Sequence, residues 1–498
     1  MNSRMTMMKV NMINEMKILT NIFINTIDNN FIPVNIYFTE AIQKIEKIFD
    51  KEFTWQELKG KENKEEILKQ IPQQNLTANA KIIDGNFNIV IPGTIDPHVH
   101  FDTPGFEFRE DFEHASTAAA YGGVTTIIDM PCTSLPPVTS ADNFQAKLEA
   151  VKNRSLIDFA FWGGICGNDF ENGKDVQKQI YELNELGVAG FKTYLISGME
   201  SFKDLNLDQM KYAAKYLKLI NKPQAVHAED KFMIESKRQR FKAASQNSWE
   251  YYCLARNSDA EEKAIRDMIS LSKEFGQKVH IVHLSSEAGL NAIRKAQNEG
   301  VKITTETCPH YLQFTQDSFL NDKIRNYLKT APPVKMNNDL NALWNGLKDG
   351  SLSFVTTDHA GCDPLEEKVD ENFWNVYGGI PGVEHRVPFL FSEGFMRNRL
   401  TFEQTVNLLS TNAAEYFNLT KKGKIEEGFD ADFALINLWD SEIVKSVNMK
   451  SKGKYTPFEG LSFNATVEKT ILRGNVIMDG ENEIEQKIGY GKFIEVKS

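Results

Sequence analysis

The pattern of apolar and polar positions changes character twice along the chain. Between about Lys17 and Ile91, short apolar runs broken by turn residues (KILTNIFINTI, VNIYFT, AKIIDG, NFNIVIP) predict β-strands. The stretch Lys51–Gln74, rich in Lys, Glu and Gln, interrupts them. It reads as a weakly helical surface insertion that carries no chemistry. From Gly93 the apolar runs alternate with helical segments. TTIIDM precedes a helix over Ser140–Lys152, DFAFWGGI one over Val176–Leu186, and VHIVHL one over Ala288–Gly300. VAGFKTYL, QAVHAE, ITTETC and SFVTTD are further strands of the same kind. Alternation repeated about eight times predicts an α/β fold with parallel strands, closed as a (β/α)₈ TIM barrel. Past Lys422 strands return without helices, in DADFALINL and ATVEKTILRGNVIMDG. The expected organisation is a barrel over 93–424 and a smaller β-sandwich domain formed by 17–92 and 425–498. Residues 1–16, rich in Met, are expected to be a disordered N-terminal extension, with Met16 a candidate start of the folded part.

Composition narrows the function classes. The chain has 498 residues, 41% of them hydrophobic and 25% charged, as a large soluble protein requires. Its net charge of −11 disfavours broad binding to nucleic acid or anionic membranes. No apolar run approaches the ~20 residues that cross a bilayer. The N-terminus lacks a secretory or transit pattern, so cytoplasmic residence is expected. The five cysteines (Cys132, Cys166, Cys253, Cys308, Cys362) are scattered and form no CxxC pair. A disulfide framework or thiolate zinc site is therefore disfavoured. Any metal must be held by imidazole and carboxylate.

The chemistry concentrates at predicted strand ends. In Ile95-Asp96-Pro97-His98-Val99-His100, residues two apart in a strand face the same way, so His98 and His100 can reach one metal ion. Such a pair alone divides evenly between metal binding and packing. His227 ends QAV, His283 follows HIV, and Asp358 closes SFVTTD, all where barrel active sites lie. Four histidines and a carboxylate in those places are hard to explain by packing, because buried polar groups need partners. His280, three before His283, is expected to face the other side of its strand in a structural role. Lys192 sits inside the apolar strand VAGFKTY. A strand lysine is usually exposed or snorkelling. An ammonium beside cations would need neutralising, and carbamylation by CO₂ would turn it into a bridging anion.

Together these residues resemble the amidohydrolase superfamily, and within it the cyclic amidohydrolases: dihydroorotases, allantoinases and dihydropyrimidinases (hydantoinases). The resemblance spans about Lys17 to Ile494. It implies that His98 and His100 bind one of two divalent metal ions and that His227 and His283 bind the other. Carboxylated Lys192 would bridge them, and Asp358 would be both a ligand of the first ion and the general base. Imidazole with carboxylate oxygen suits zinc best. The implied reaction is hydrolysis of a cyclic amide C–N bond, on a small cyclic amide or ureide, by a homodimer or homotetramer.

The branches separate less cleanly. Dihydroorotases typically carry Arg two residues after HxH and Asn after Met-Pro, where this chain has Asp102 and Cys132. Loss of a cationic fork and gain of an anion argue against a carboxylated ring, unless Arg109 in FEFRED serves instead. Hydantoinases usually place Tyr five residues past the bridging lysine; here that position is Ser197, with Tyr194 nearby. GGIPGVEHRVPFL and LLSTNAAEYF resemble hydantoinase motifs, whereas GFKTYLISG, ETCPHYL, LKTAPP, TTDHAGCDP and MPCTSLPP resemble allantoinase ones. An allantoinase-like enzyme is the favoured expectation, with dihydroorotase or hydantoinase as alternatives. Asp102, Ser286, His310, Pro381, Gly382 and Asn412 are candidate substrate contacts, each with a competing turn, cap or packing role. Two readings from outside the branch are a metal-free binding scaffold, which would have lost ligands, and a nucleobase deaminase, which would lack the bridging lysine.

Overall fold

The computed structural model describes residues 15–72, 76, 80–480, 482 and 486–497. The extension expected over 1–16 thus lies almost entirely outside the described residues, as does part of the 51–74 segment.

The barrel is closed by two sheets that share split strands. One has the order Phe354–Val355, Ile303–Thr307, Val279–Ile281, Gln224–His227, Phe191–Tyr194, Gly163–Gly164, all paired parallel. The other runs His359–Ala360, Thr94–His100, Val124–Asp129, Asp158–Phe161, again parallel. Trp162 separates Asp158–Phe161 from Gly163–Gly164, and residues 356–358 separate Phe354–Val355 from His359–Ala360. At each break one chain segment hands its pairing from one neighbour to the next, which closes the ring. Asp358 lies in the second break with φ 49°, a left-handed conformation that a non-glycine residue adopts at a cost.

Between the strands run amphipathic helices such as Ala141–Val151, Val176–Glu185 and Glu287–Asn298, close to the spans predicted from their periodicity. Their starts are capped as the sequence suggests: Ser140 accepts from Asn143 N, and Ser286 from Gly289 N. The opposite end of the barrel is covered by the C-terminal segment. Phe493 bridges to Phe159 and packs on Phe144 and Phe161, while Lys222 Nζ donates to Val496 O at 2.7 Å.

Strands from both chain ends form a seven-stranded sheet in the order Asn475–Asp479, Thr466–Leu472, Phe433–Asn437, Lys81–Pro92, Lys17–Asn25, Phe31–Phe38, Ile42–Lys47. Phe38 and Phe433 lie three strands apart, about 14 Å in a flat sheet, yet their rings meet edge-on at 5.6 Å. The sheet is therefore curled on itself around Ile36, Ile42, Leu435 and Ile471, giving the β-sandwich that accompanies the barrel. The predicted strands AKIIDG and NFNIVIP are one strand, Lys81–Pro92. Asn86 and Phe87 take positive φ at a register shift against Lys17–Asn25, and this bulge looked like a turn in the sequence.

Two expectations need correction. The 51–74 segment is not a bare surface insertion: Trp55, Leu58 and Ile67 are buried, and the Trp55 ring meets Phe31, Phe395 and Trp439. His280 does not face away from the site. Its strand ends at Ile281, and His283 lies beyond it with φ 40°, so strand alternation cannot be extended from one to the other. Register puts His280 beside Ala225, which is beside Lys192, so all three point into the barrel.

Candidate active site

Five of the six residues expected to carry the chemistry line one cavity of about 740 Å³ at the C-terminal rim of the barrel: His98, His100, His227, His283 and Asp358. That volume lies within the range of small-molecule sites. Lys192 stands behind them, fully buried, with its Nζ lacking any hydrogen-bond partner.

The six groups fall into two clusters. In the first, the Nε2 atoms of His98 and His100 lie 3.1 and 3.2 Å from Asp358 Oδ1. The donor atoms of all three lie within 4.8 Å of one another. His98 Nε2 is close to Asp358 but outside hydrogen-bond geometry, and it has no other partner. In the second, His227 Nδ1 and His283 Nε2 face each other at 2.9 Å. Lys192 acts electrostatically on His98, His227, His283 and Asp358, groups from both clusters.

Outer partners set which imidazole nitrogens face inward. His98 Nδ1 meets Glu306 Oε1, and His280 Nε2 lies 3.0 Å from Glu306 Oε2. His227 Nε2 lies 2.8 Å from Glu229 Oε2, which Arg256 also binds. Both carboxylates are ionised. Burial pushes Glu306 up, but His98 and His280 outweigh it and hold the group well below the usual carboxylate range. Burial likewise raises Glu229, and Arg256 and His227 override it. An ionised carboxylate only accepts, so His98 Nδ1 and His227 Nε2 are the N–H donors. The lone pairs of His98 Nε2 and His227 Nδ1 then point into the site, as in metal-ligating histidines.

Electrostatics favour cations here. Burial opposes charge on His100, but Cys132 and Asp358 raise its pKa to about 10, so the first cluster attracts positive charge. Burial raises the Asp358 carboxyl, yet His98 and His100 hold it well below its ordinary range. Burial and the neighbouring His227 push His283 well down, and burial lowers Lys192. Orphaned nitrogens, inward lone pairs and an ionised carboxylate fit two divalent cations, and an uncharged lysine amine is the form that reacts with CO₂.

The candidate substrate contacts do not assemble in the same way. Asp102 is buried with positive φ, and burial lifts its carboxyl well above the usual range against the pull of His100. Burial thus disfavours the anion expected from the sequence, and Asp102 is not among the cavity-lining residues. Ser286 caps its helix and is fully buried. Asn412 donates to Ser353 O at 2.8 Å, at the start of a barrel strand and so at the far end from the cavity. The Gly382 amide donates to His359 Nδ1 at 3.2 Å, and Pro381 is buried beside it. His310 is also buried; burial brings its pKa to about 4 although Asp358 pulls it up. Ser197 and Tyr194 do line the cavity, with Tyr194 stacked on His227 at 5.3 Å and its hydroxyl 3.2 Å from Cys132 Sγ.

Sequence reasoning missed Glu229 and the role of Glu306. Both carried a signal: Glu229 lies two residues past His227, and Glu306 sits near the end of a barrel strand, as the histidines do.

A parallel barrel with an imidazole–carboxylate cluster and an interior lysine at its C-terminal rim defines a metal-dependent barrel hydrolase. Residues 89–477 match the family described as Amidohydrolase family. Allantoinase of Bacillus licheniformis is 36% identical over 433 residues, 84% of this chain and 92% of that protein. Allantoinase of Rubrobacter xylanophilus is 35% identical over 415 residues, covering 82% and 88%. Among solved structures, L-hydantoinase (dihydropyrimidinase) from Arthrobacter aurescens superposes with a TM-score of 0.85 at 26% identity, over 96% of this chain and 99% of that one. The chain belongs to the amidohydrolase family.

Proposed function

We propose that this enzyme, a hydrolase of cyclic-amide C–N bonds, opens a neutral cyclic ureide of the allantoin type. The observation that carries the choice is the state of the cations around the cavity. Arg109 Nε donates to both Glu367 oxygens at 2.9 and 3.0 Å, and Arg256 and Arg238 are paired with Glu229 and Glu235. Lys329 spends its three protons on backbone carbonyls. Among the described Lys and Arg side chains of the lining, Lys242 alone has no hydrogen-bond or ion-pair partner, and it lies near the Trp374 ring. Ring carboxylates are recognised by free guanidinium forks, so this wall suits an uncharged ring better than dihydroorotate. The similarity to allantoinases supports the same substrate class.

In this reading His98, His100 and Asp358 would hold one divalent ion, His227 and His283 would hold a second, and Lys192, if carboxylated, would serve both, with zinc the ion this donor set suits best. Bound ions of this kind acidify water and polarise a carbonyl. Asp358, aimed from the strand break, accepts the proton of the attacking water. It then passes that proton to the departing ring nitrogen, so one group serves as base and then acid. Tyr194, Trp374 and Tyr377 supply apolar walls around the ring. Among the described residues, no helix is long and apolar enough to cross a membrane. The family likeness supports a homodimer or homotetramer, which sedimentation tests.

The decisive test is a hydrolysis panel of allantoin, hydantoin, dihydrouracil and dihydroorotate, with Asp358→Asn alongside. Allantoin is expected to turn over best, and Asp358→Asn to abolish turnover. Preferred turnover of dihydroorotate, or ring closure of carbamoyl-aspartate at a comparable rate, would overturn the substrate assignment.

A further inference from the structure

One wall of the cavity comes from the segment 373–379, which has no helix or strand. Trp374, Val376, Tyr377 and Gly378 face the cavity. A wall of irregular backbone must find hydrogen-bond partners for its buried carbonyls, and here two lysines supply them. Lys329 Nζ donates to the carbonyls of Phe373, Trp374 and Val376. Lys368 Nζ donates to Tyr377 O at 2.8 Å and Gly379 O at 2.9 Å. The Tyr455 hydroxyl adds a second bond to Gly379 O at 2.9 Å, and the Gly379 amide returns to Lys329 O at 3.1 Å.

Both lysines are nearly inaccessible, at 4% and 3% exposure. Among the described residues neither has a carboxylate within ion-pair distance, whereas buried lysines are almost always paired with one. Aromatic faces stand in part for the missing anion: Lys329 lies 4.8 Å from the Tyr252 ring centre, and Lys368 lies 5.1 Å from that of Tyr455. Two lysine amines kept out of water without a counter-ion need a structural return. Among the described residues that return is the set of five carbonyls they bind, all in the segment whose residues 374, 376 and 377 line the cavity.

We propose that Lys329 and Lys368 are positioning residues that pin the 373–379 wall and thereby set which ring shapes the cavity accepts. The substrate half of this inference rests on the proposed function; the wall half does not. Lys→Met keeps the apolar stem and removes the donors, so Lys329→Met and Lys368→Met are made separately, which covers failure of either to fold. Hydrogen exchange of the amides in 373–379 is followed by mass spectrometry. KM and kcat are measured for allantoin and hydantoin, and metal content is determined. Exchange in 373–379 is expected to quicken at least about tenfold while the barrel strands keep their protection. KM for allantoin is expected to rise about tenfold, the loss of one charge-assisted anchor, with kcat falling less and the preference for allantoin over hydantoin narrowing. Lys329→Arg, which retains charge and donors, should restore part of the protection. Wild-type exchange in both Met variants, or loosening spread evenly over the barrel with KM unchanged, would overturn the proposal. If the wild-type protein turns over neither ring, the proposed function fails, and the exchange data still decide the role of the lysines in the wall.

Discussion

Glu306→Gln isolates the part of the site that prepares it for metal. Glu306 takes His98 Nδ1 on one oxygen and His280 Nε2 on the other, and the His283 amide lies 3.4 Å from Oε1. Glutamine has the same shape but one accepting oxygen, so its NH₂ must face the N–H of one imidazole. The variant loses a charge-assisted hydrogen bond, worth about 1.5–3 kcal/mol, and leaves a buried donor unpaired. Its cheapest relief is a flip of the His98 tautomer, which turns an N–H towards Asp358 and removes the inward lone pair. Changes of this kind next to a ligand lower metal affinity by about 10–100-fold. Metal-free protein titrated with zinc against a chromophoric chelator measures that loss directly, and thermal unfolding of the metal-free forms separates it from a general loss of fold. His280→Phe, which frees one Glu306 oxygen but leaves the bond to His98, should cost less. Wild-type zinc affinity in a well-folded Glu306→Gln would refute the assignment of His98 as a ligand oriented by Glu306.

Two further outcomes follow. Lys192→Met should retain the histidine clusters but lose the bridge; wild-type protein stripped of metal and CO₂ is expected to regain activity only when bicarbonate accompanies zinc, and the variant not at all, so recovery without bicarbonate would refute carboxylation. Burial lifts Glu384 to about 7 against the Lys450 amide, above its ordinary 4.5; the folded state then binds more protons than the unfolded one between those values, so this stabilisation is present at low pH and fades as pH rises through 7. Glu384→Gln should gain on the wild type by on the order of 2 kcal/mol between pH 5 and pH 8, read as a widening gap in Tm; parallel Tm profiles would refute the burial argument.

How much of this was legible in the sequence depended on the range of the interactions involved. Alternation of period 2 and 3.6 is a local property, and it marked the barrel strands and helices such as Val176–Glu185 because each buries one face. It failed at Asn86-Phe87, where a bulge imitates a turn, and in the 51–74 segment, whose few apolar residues gave no clear period although Trp55 is buried. The six chemical groups stood out for a local reason as well: charge or imidazole at the end of an apolar run contradicts its surroundings.

What the sequence by itself determined, then, was the kind of chemistry and the candidates proposed to carry it, since the identity of donor atoms is covalent and their place at strand ends follows from pattern. Tertiary structure alone decided which lone pairs point inward, because that depends on Glu229 and Glu306 meeting His227 and His98, the latter from 208 residues away. It also decided that burial lifts the Asp102 carboxyl and that Arg109 is already occupied by Glu367, 258 residues distant. Charge state and availability are set by burial and by partners, and neither exists until the barrel closes.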